Sequence, residues 1–310
     1  MPDHLPIERL RGPKEAVDPN IPYLFLNEQE TDATGMVRSV NTIFLTNKEC
    51  PFRCVMCDLW KHTLDGPTPA GAIPRQIEYA LERLPEASVV KLYNSGNFFD
   101  SKAIPPEDHP AIAGLLSGFD RVIVENHPKL CGLPCLEFSE RLTGKLEIAL
   151  GLETIHPEVL PRLNKQITVE DYAEAAAFLI RHNIDVRTFL LLNPPYLTDA
   201  REHITWTVRS AEFAFDHGST ACSIIPTRAG NGFMDKLLAE GAFAPSTLNA
   251  LETAFEQALR LSKGRVFADL WDLEQFASCS RCFEWRKDRL HRMNLEQRIL
   301  PPVKCTCKAD

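Results

Sequence analysis

Residues 49–60 read ECPFRCVMCDLW and place Cys50, Cys54 and Cys57 in a C-x3-C-x2-C spacing. Three thiolates hold three irons of a [4Fe-4S] cube, whereas a cube bound wholly by protein takes four cysteines. No fourth cysteine stands nearby, so the spacing leaves one iron open to another ligand. The alternative is a zinc knuckle completed by His62, five residues after Cys57. A disulfide pair is disfavoured, because the N-terminal stretch is polar and proline-rich and does not read as a secretory signal.

Around this stretch the composition is that of an ordinary globular chain. The 310 residues are 44% hydrophobic and 25% charged, enough for one large domain with appendages or for two domains. No apolar run approaches the length of a membrane span. Ten cysteines without an export signal point to metal or redox chemistry in a reducing cytoplasm. A net charge of -8 argues against a large nucleic-acid footprint but leaves room for a local basic patch.

The order of elements gives the fold class. Residues 1–38 carry five prolines and read as a wrapping arm, with a short strand conceivable in IPYLFLNEQE. From residue 39 strands and helices alternate. VNTIFLT (40–46), SVVKLYNSG (88–96), RVIVEN (121–126), LEIALGLET (146–154), IDVRTFLLLNPP (184–195) and TACSIIPTR (220–228) are the strands. Amphipathic stretches separate them. One opens on Thr168 with Asp171 three residues on, a variant capping box. Gly144 and Gly218 read as helix C-caps. Six such units predict a parallel sheet with helices outside. Periodicity does not separate an open doubly wound sheet from a barrel, but both place active sites at the C-terminal ends of the strands.

The C-terminal part carries a second set of thiols. A helical segment at 245–264 and a short strand, RVFADLW (265–271), lead to Cys279 and Cys282, then to Cys305 and Cys307. Two close pairs separated by 22 residues fit a four-thiolate zinc site or an auxiliary [4Fe-4S] cluster. Residues 281–310 hold eight basic against four acidic side chains, an asymmetry that fits contact with RNA or a solvated helix face. Cys131 and Cys135, spaced C-x3-C, read as packing residues at a helix start, the alternative being a role in substrate chemistry or at another metal, and Cys222 reads as core. The domains expected are therefore an arm (1–38), a core (39–228), a helical extension (229–278) and a four-cysteine metal module (279–310).

The cysteine motif resembles that of the radical S-adenosylmethionine (SAM) superfamily. Met56, where an aromatic residue is common in that family, is a departure. With TIFLTNKECPFRCVMC, LYNSGNFFD, ENHP, GLET and LLNPPYLT in this order, the chain looks similar to the archaeosine synthase radical SAM subunit and the related elongator branch. That resemblance implies a partial (β/α)6 TIM-type barrel. It also implies SAM chelated at the open iron, and a one-electron donor of flavodoxin or ferredoxin type.

It further implies roles at the strand ends. Asn94, Ser95 and Gly96 stand where a backbone element contacts the SAM amino group. Glu153 stands where a polar group meets the ribose hydroxyls or the methionyl end. Arg187 is placed to pair with the SAM carboxylate, the alternative being a buried salt bridge. Ile225 would border the adenine. Glu125, Asn126 or His127 would face the substrate, and Lys165 is either a ligand contact or a surface charge. The activity implied is reductive cleavage of SAM to a 5′-deoxyadenosyl radical that modifies a nucleoside in tRNA, with a partner protein. A maturase of a small metabolite or peptide, and a non-catalytic iron–sulfur or zinc protein, are the alternatives.

Overall fold

The computed structural model describes residues 7–307, so Lys308 and Asp310 of the basic tail lie outside it. Eight strands form one sheet in sequence order. They are β1 (Leu24–Thr31), β2 (Val37–Phe44), β3 (Val89–Tyr93), β4 (Arg121–Asn126), β5 (Lys145–Glu153), β6 (Asp185–Leu192), β7 (Ala221–Pro226) and β8 (Arg265–Ala268). The helices are α1 (Ala72–Leu81), α2 (His109–Leu115), α3 (Leu133–Arg141), α4 (Val169–Arg181), α5 (Ala200–Asp216), α6 (Phe233–Ala239), α7 (Leu248–Arg260) and α8 (Ser280–Glu296). Among the described residues no helix is long and apolar enough to cross a membrane.

The strand order decides between the two candidate architectures. A doubly wound sheet reverses its order at a switch point. Here every strand from β2 to β8 pairs parallel with the next. Crossovers of one hand then put the helices on one face, and the twisted sheet curls around the other. The result is the partial barrel that the resemblance implied, left open because β8 and β1 do not pair. The outer face buries Leu92, Val124, Ile148, Val186 and Ile224 against Ile77, Leu179 and Phe255 of the helices.

The inner face is different. Side chains alternate along a strand, and the register puts Glu28, Glu30, Lys91, Glu147, Arg187 and Arg265 on the concave side. Lys91 bonds Glu28 at 2.9 Å and Glu30 at 2.7 Å. Arg121 reaches Glu147 at 3.0 Å and Asp185 at 2.6 Å. These groups form an ionic floor near the N-terminal ends of the strands.

Local signals account for most element ends. The Thr168–Asp171 box closes reciprocally at 2.8 and 3.1 Å. Gly218 follows α5 at φ 87°, the left-handed conformation its capping role needs. Gly144 does not cap α3. It is there because a Cβ would lie 2.2 Å from the Phe119 carbonyl oxygen, where the approach to β5 crosses that to β4.

Two expected boundaries shift. The arm ending at 38 cuts through a hairpin, since β1 pairs antiparallel with β2. Of its inward positions Leu24 and Leu26 are apolar, but Glu28 and Glu30 are carboxylates with partners on other strands, so the apolar alternation of a half-buried strand stops halfway along β1. The break at 228 likewise separates β7 from β8, which are neighbours in one sheet. Nor does the tail stand apart: α8 packs Phe283, Leu290 and Met293 into the main core.

Candidate active site

The cysteine loop leaves the C-terminal end of β2 and is held by asparagines from three other strand ends. Asn97, after β3, donates to Cys50 Sγ at 3.2 Å. Asn164, after β5, donates to the Arg53 carbonyl at 2.6 Å. Asn231, after β7, bonds the carbonyls of Val55 and Cys57 at 2.8 and 3.1 Å. Beneath the loop, Glu49 is gripped by Arg11 at 2.7 Å, Lys14 at 2.9 Å and Arg53 at 3.1 Å. Phe52 stacks on His127, centroids 3.6 Å apart. Burial pushes the Cys54 thiol up to about 11 and raises Cys50 and Cys57 as well. The thiols therefore keep their protons at neutral pH until a metal displaces them.

The wall beside the loop is built from the ends of β3, β4 and β5. Glu125 accepts the backbone N–H groups of Asn94 at 2.6 Å and Gly96 at 3.3 Å. Burial raises its carboxyl to about 7 against the pull of those donors. Occupying the N–H groups leaves the carbonyls of the 94–96 turn as its free polar groups. A Cβ on Gly96 would sit 3.4 Å from Cys50 Cβ, so glycine lets the turn lie against the ligand. The side chain of Asn94 is fully buried, and neither its oxygen nor its nitrogen has a partner. A buried amide left this way calls for a ligand that both donates and accepts. The amino-acid end of SAM has that chemistry, and the three thiols have that of an open cube, so the residues fit both groups.

Glu153, at φ 67°, pairs with Lys165 at 2.9 Å, and both are buried. Burial opposes the charge on Lys165, but its ion pair with Glu153 outweighs that and holds its pKa above the ordinary lysine value. Gly151 makes room, since a Cβ there would lie 2.4 Å from the Glu153 carboxylate and 2.6 Å from Lys165 Nζ. Ile225 packs on the small apolar cluster that contains Val55 of the loop and Leu191.

Comparison with known proteins agrees with this geometry. No family model matches the sequence. The chain is 26% identical to an uncharacterised protein of Methanocaldococcus jannaschii, over 97% of its own length and 88% of the relative's. It is also 26% identical to the archaeosine synthase subunit beta of Methanosarcina acetivorans, over 66% of this chain and 61% of that one. In fold it is similar to the archaeal Methanocaldococcus infernus Elp3, with a TM-score of 0.54, 15% identity, and coverage of 71% of this chain and 59% of that one. The relatives named archaeosine synthase subunit beta support a place among the radical SAM enzymes, and the likeness to Elp3 supports the partial-barrel fold.

One expected role moves within this radical SAM site. Arg187 is 2% exposed and far down the barrel. Its Nε donates to Glu147 at 2.6 Å, and its two Nη groups bond the Glu30 carboxylate. Every nitrogen of its fork is engaged, so the buried salt bridge holds and the pairing with SAM does not. The cation facing the thiols is Lys165. His127 is also a positioning group: its Nδ1 accepts from the Lys129 N–H at 3.2 Å, so Nε2 carries the proton and donates to the Lys165 carbonyl at 2.9 Å. Burial, with Lys165 nearby, lowers its pKa to about 3 and keeps it neutral.

In the tail, the Sγ atoms of Cys279, Cys282, Cys305 and Cys307 all lie within 4.8 Å of one another and form a group able to hold a metal ion. The backbone N–H of Cys282 helps lower the Cys279 thiol to about 6. The basic tail is less free than its count implies. Arg286 bonds Glu252 at 2.8 Å and Arg289 bonds Glu256 at 2.6 Å, both on α7. Sequence reasoning missed the three asparagines, because nothing in their spacing separates them from ordinary loop residues.

Proposed function

We propose that the protein reductively cleaves SAM at the cysteine loop to generate a 5′-deoxyadenosyl radical that modifies a nucleoside in tRNA. The observation that carries this reading is the loop itself, three thiols on one barrel rim beside a buried lysine and an unpartnered asparagine. Cys50, Cys54 and Cys57 would hold a [4Fe-4S] cluster, which would supply the electron for splitting the sulfonium into methionine and the radical. The carbonyls of Asn94, Ser95 and Gly96 accept from the SAM amino group. Lys165 pairs with the carboxylate in place of Arg187. Glu153 anchors that lysine through one oxygen and offers the other to ribose hydroxyls, while Ile225 borders the adenine. The tRNA substrate and a partner protein are supported by the relative named archaeosine synthase subunit beta. An external donor of flavodoxin or ferredoxin type completes the set, and ten free cysteines suit a reducing cytoplasm.

The tail thiols are best matched by zinc. A tetrahedral ion with Zn–S bonds of about 2.3 Å puts its sulfurs about 3.8 Å apart. Cys282 and Cys307 already stand at 3.7 Å. Thiols that serve separate irons of a cube stand wider.

The central test is anaerobic reconstitution with iron and sulfide, then SAM and dithionite. 5′-Deoxyadenosine and methionine are the expected products, and an intact cluster that yields neither overturns the reading. Lys165→Met should weaken SAM binding by about tenfold or more, measured by equilibrium dialysis, because it removes the cation facing the carboxylate. Metal analysis should find four irons and one zinc per chain. Removing the zinc, or substituting Cys282→Ser, should lower the melting temperature by at least about 5 °C.

A further inference from the structure

The open end of the barrel presents a tryptophan whose main chain is clamped. Trp271 follows β8, at the same end of the sheet as the cysteine loop and the 94–97 turn. Its N–H donates to Asp269 Oδ1 at 3.1 Å. Its carbonyl accepts from Arg228 Nη2, which also bonds Asp269 Oδ2 at 3.1 Å. Arg228 arrives from the end of β7, so two strand ends grip the backbone. Trp271 is nevertheless 49% exposed.

That indole is continuous with the interior. It touches Phe44, on the concave face, with centroids 6.4 Å apart. Phe44 meets Tyr93 at 5.9 Å and Tyr23 at 5.7 Å. The Tyr23 hydroxyl bonds Ser95 Oγ at 2.9 Å, in the turn that lies against Cys50. An aromatic path therefore runs from the rim to the wall of the site. A large ring carried on a clamped main chain and left half-exposed makes a poor packing element. It makes a good stacking surface, because the face of a heteroaromatic ring gains from an indole plane what an aliphatic polar substrate does not.

We propose that the Trp271 indole is the platform on which the planar base of the substrate stacks at the barrel mouth. This rests on the reading that the substrate is a nucleoside. The ion pair of Arg228 and Asp269 holds the platform without touching the base.

The test uses full-length protein labelled with 5-fluorotryptophan, whose four tryptophans give separate fluorine signals. Trp271→Phe assigns one of them. Titration with guanosine 5′-monophosphate should move the Trp271 signal saturably, and ribose 5-phosphate should not. Trp271→Ala should weaken the nucleotide by about five- to a hundredfold, with Trp271→Phe in between. An unmoved signal, an equal response to both probes, or unchanged affinity in Trp271→Ala overturns the proposal. Nucleotide binding is read without SAM chemistry. Stacking without 5′-deoxyadenosine production therefore sinks the catalytic reading alone, and the reverse sinks this one alone.

Discussion

Cys57→Ala should bring 5′-deoxyadenosine formation down to that of a protein-free control. Two thiolates retain a cube poorly, and the vacant corner that chelates SAM requires the other three irons to be held. The fold should survive, because the loop is tied through backbone carbonyls: Asn231 holds those of Val55 and Cys57, and Asn164 holds that of Arg53. A near-normal melting temperature with lost iron and lost product is the expected pattern. His62→Ala separates this from a zinc knuckle. His62 stacks on Tyr23 at 4.6 Å, so its loss should leave iron binding in place. If instead His62→Ala removes the metal and Cys57→Ala does not remove iron, the cube reading is wrong.

Arg187→Met should destabilise the protein by about 3–5 kcal/mol, the cost of stranding a buried partner. Glu147 is fully buried and would be left with the weaker pull of Arg121 at 3.0 Å and Arg265 at 3.8 Å. A melting temperature lower by roughly 10 °C is the readout, alongside an unchanged affinity for SAM. Unchanged stability with weakened SAM binding would return Arg187 to the cofactor. The floor also has a pH signature. Burial works against the Glu30 charge, but Arg187 and Lys91 overcome it and hold its pKa below the usual carboxylate range. Its contribution is therefore present above that range and lost as the pH falls through the depressed value.

What was legible in the sequence was whatever depends on spacing. The cysteine motif, the alternation of strands and helices, the Thr168 box and the paired tail thiols are all local patterns, and each is found where the pattern put it. Partner choice was not legible. Arg187 on a buried strand demanded a carboxylate, and the sequence offered no way to tell Glu147 and Glu30 from a bound amino acid. Lys165 was ambiguous for the same reason: a lysine in a loop reads as solvated until Gly151 and Glu153 are seen to receive it. Residues 24–31 read as part of an arm because two of their inward side chains, Glu28 and Glu30, are acidic and break the apolar alternation. The spacing of the tail's basic residues also gave no sign that Arg286 and Arg289 pair with Glu252 and Glu256 of α7.

The reach of Glu30 across 157 residues to Arg187 bears on how the molecule comes to be made. When β1 is made, Glu30 can gain Lys91 of β3 soon after, but its second partner, Arg187, arrives only with β6. Contacts so distant reward the chain only after a large loop has closed. That hairpin is thus fully secured only late, and a nascent chain stalled ahead of β6 should hold it through Lys91 alone, with the Glu30 side of the floor unfinished.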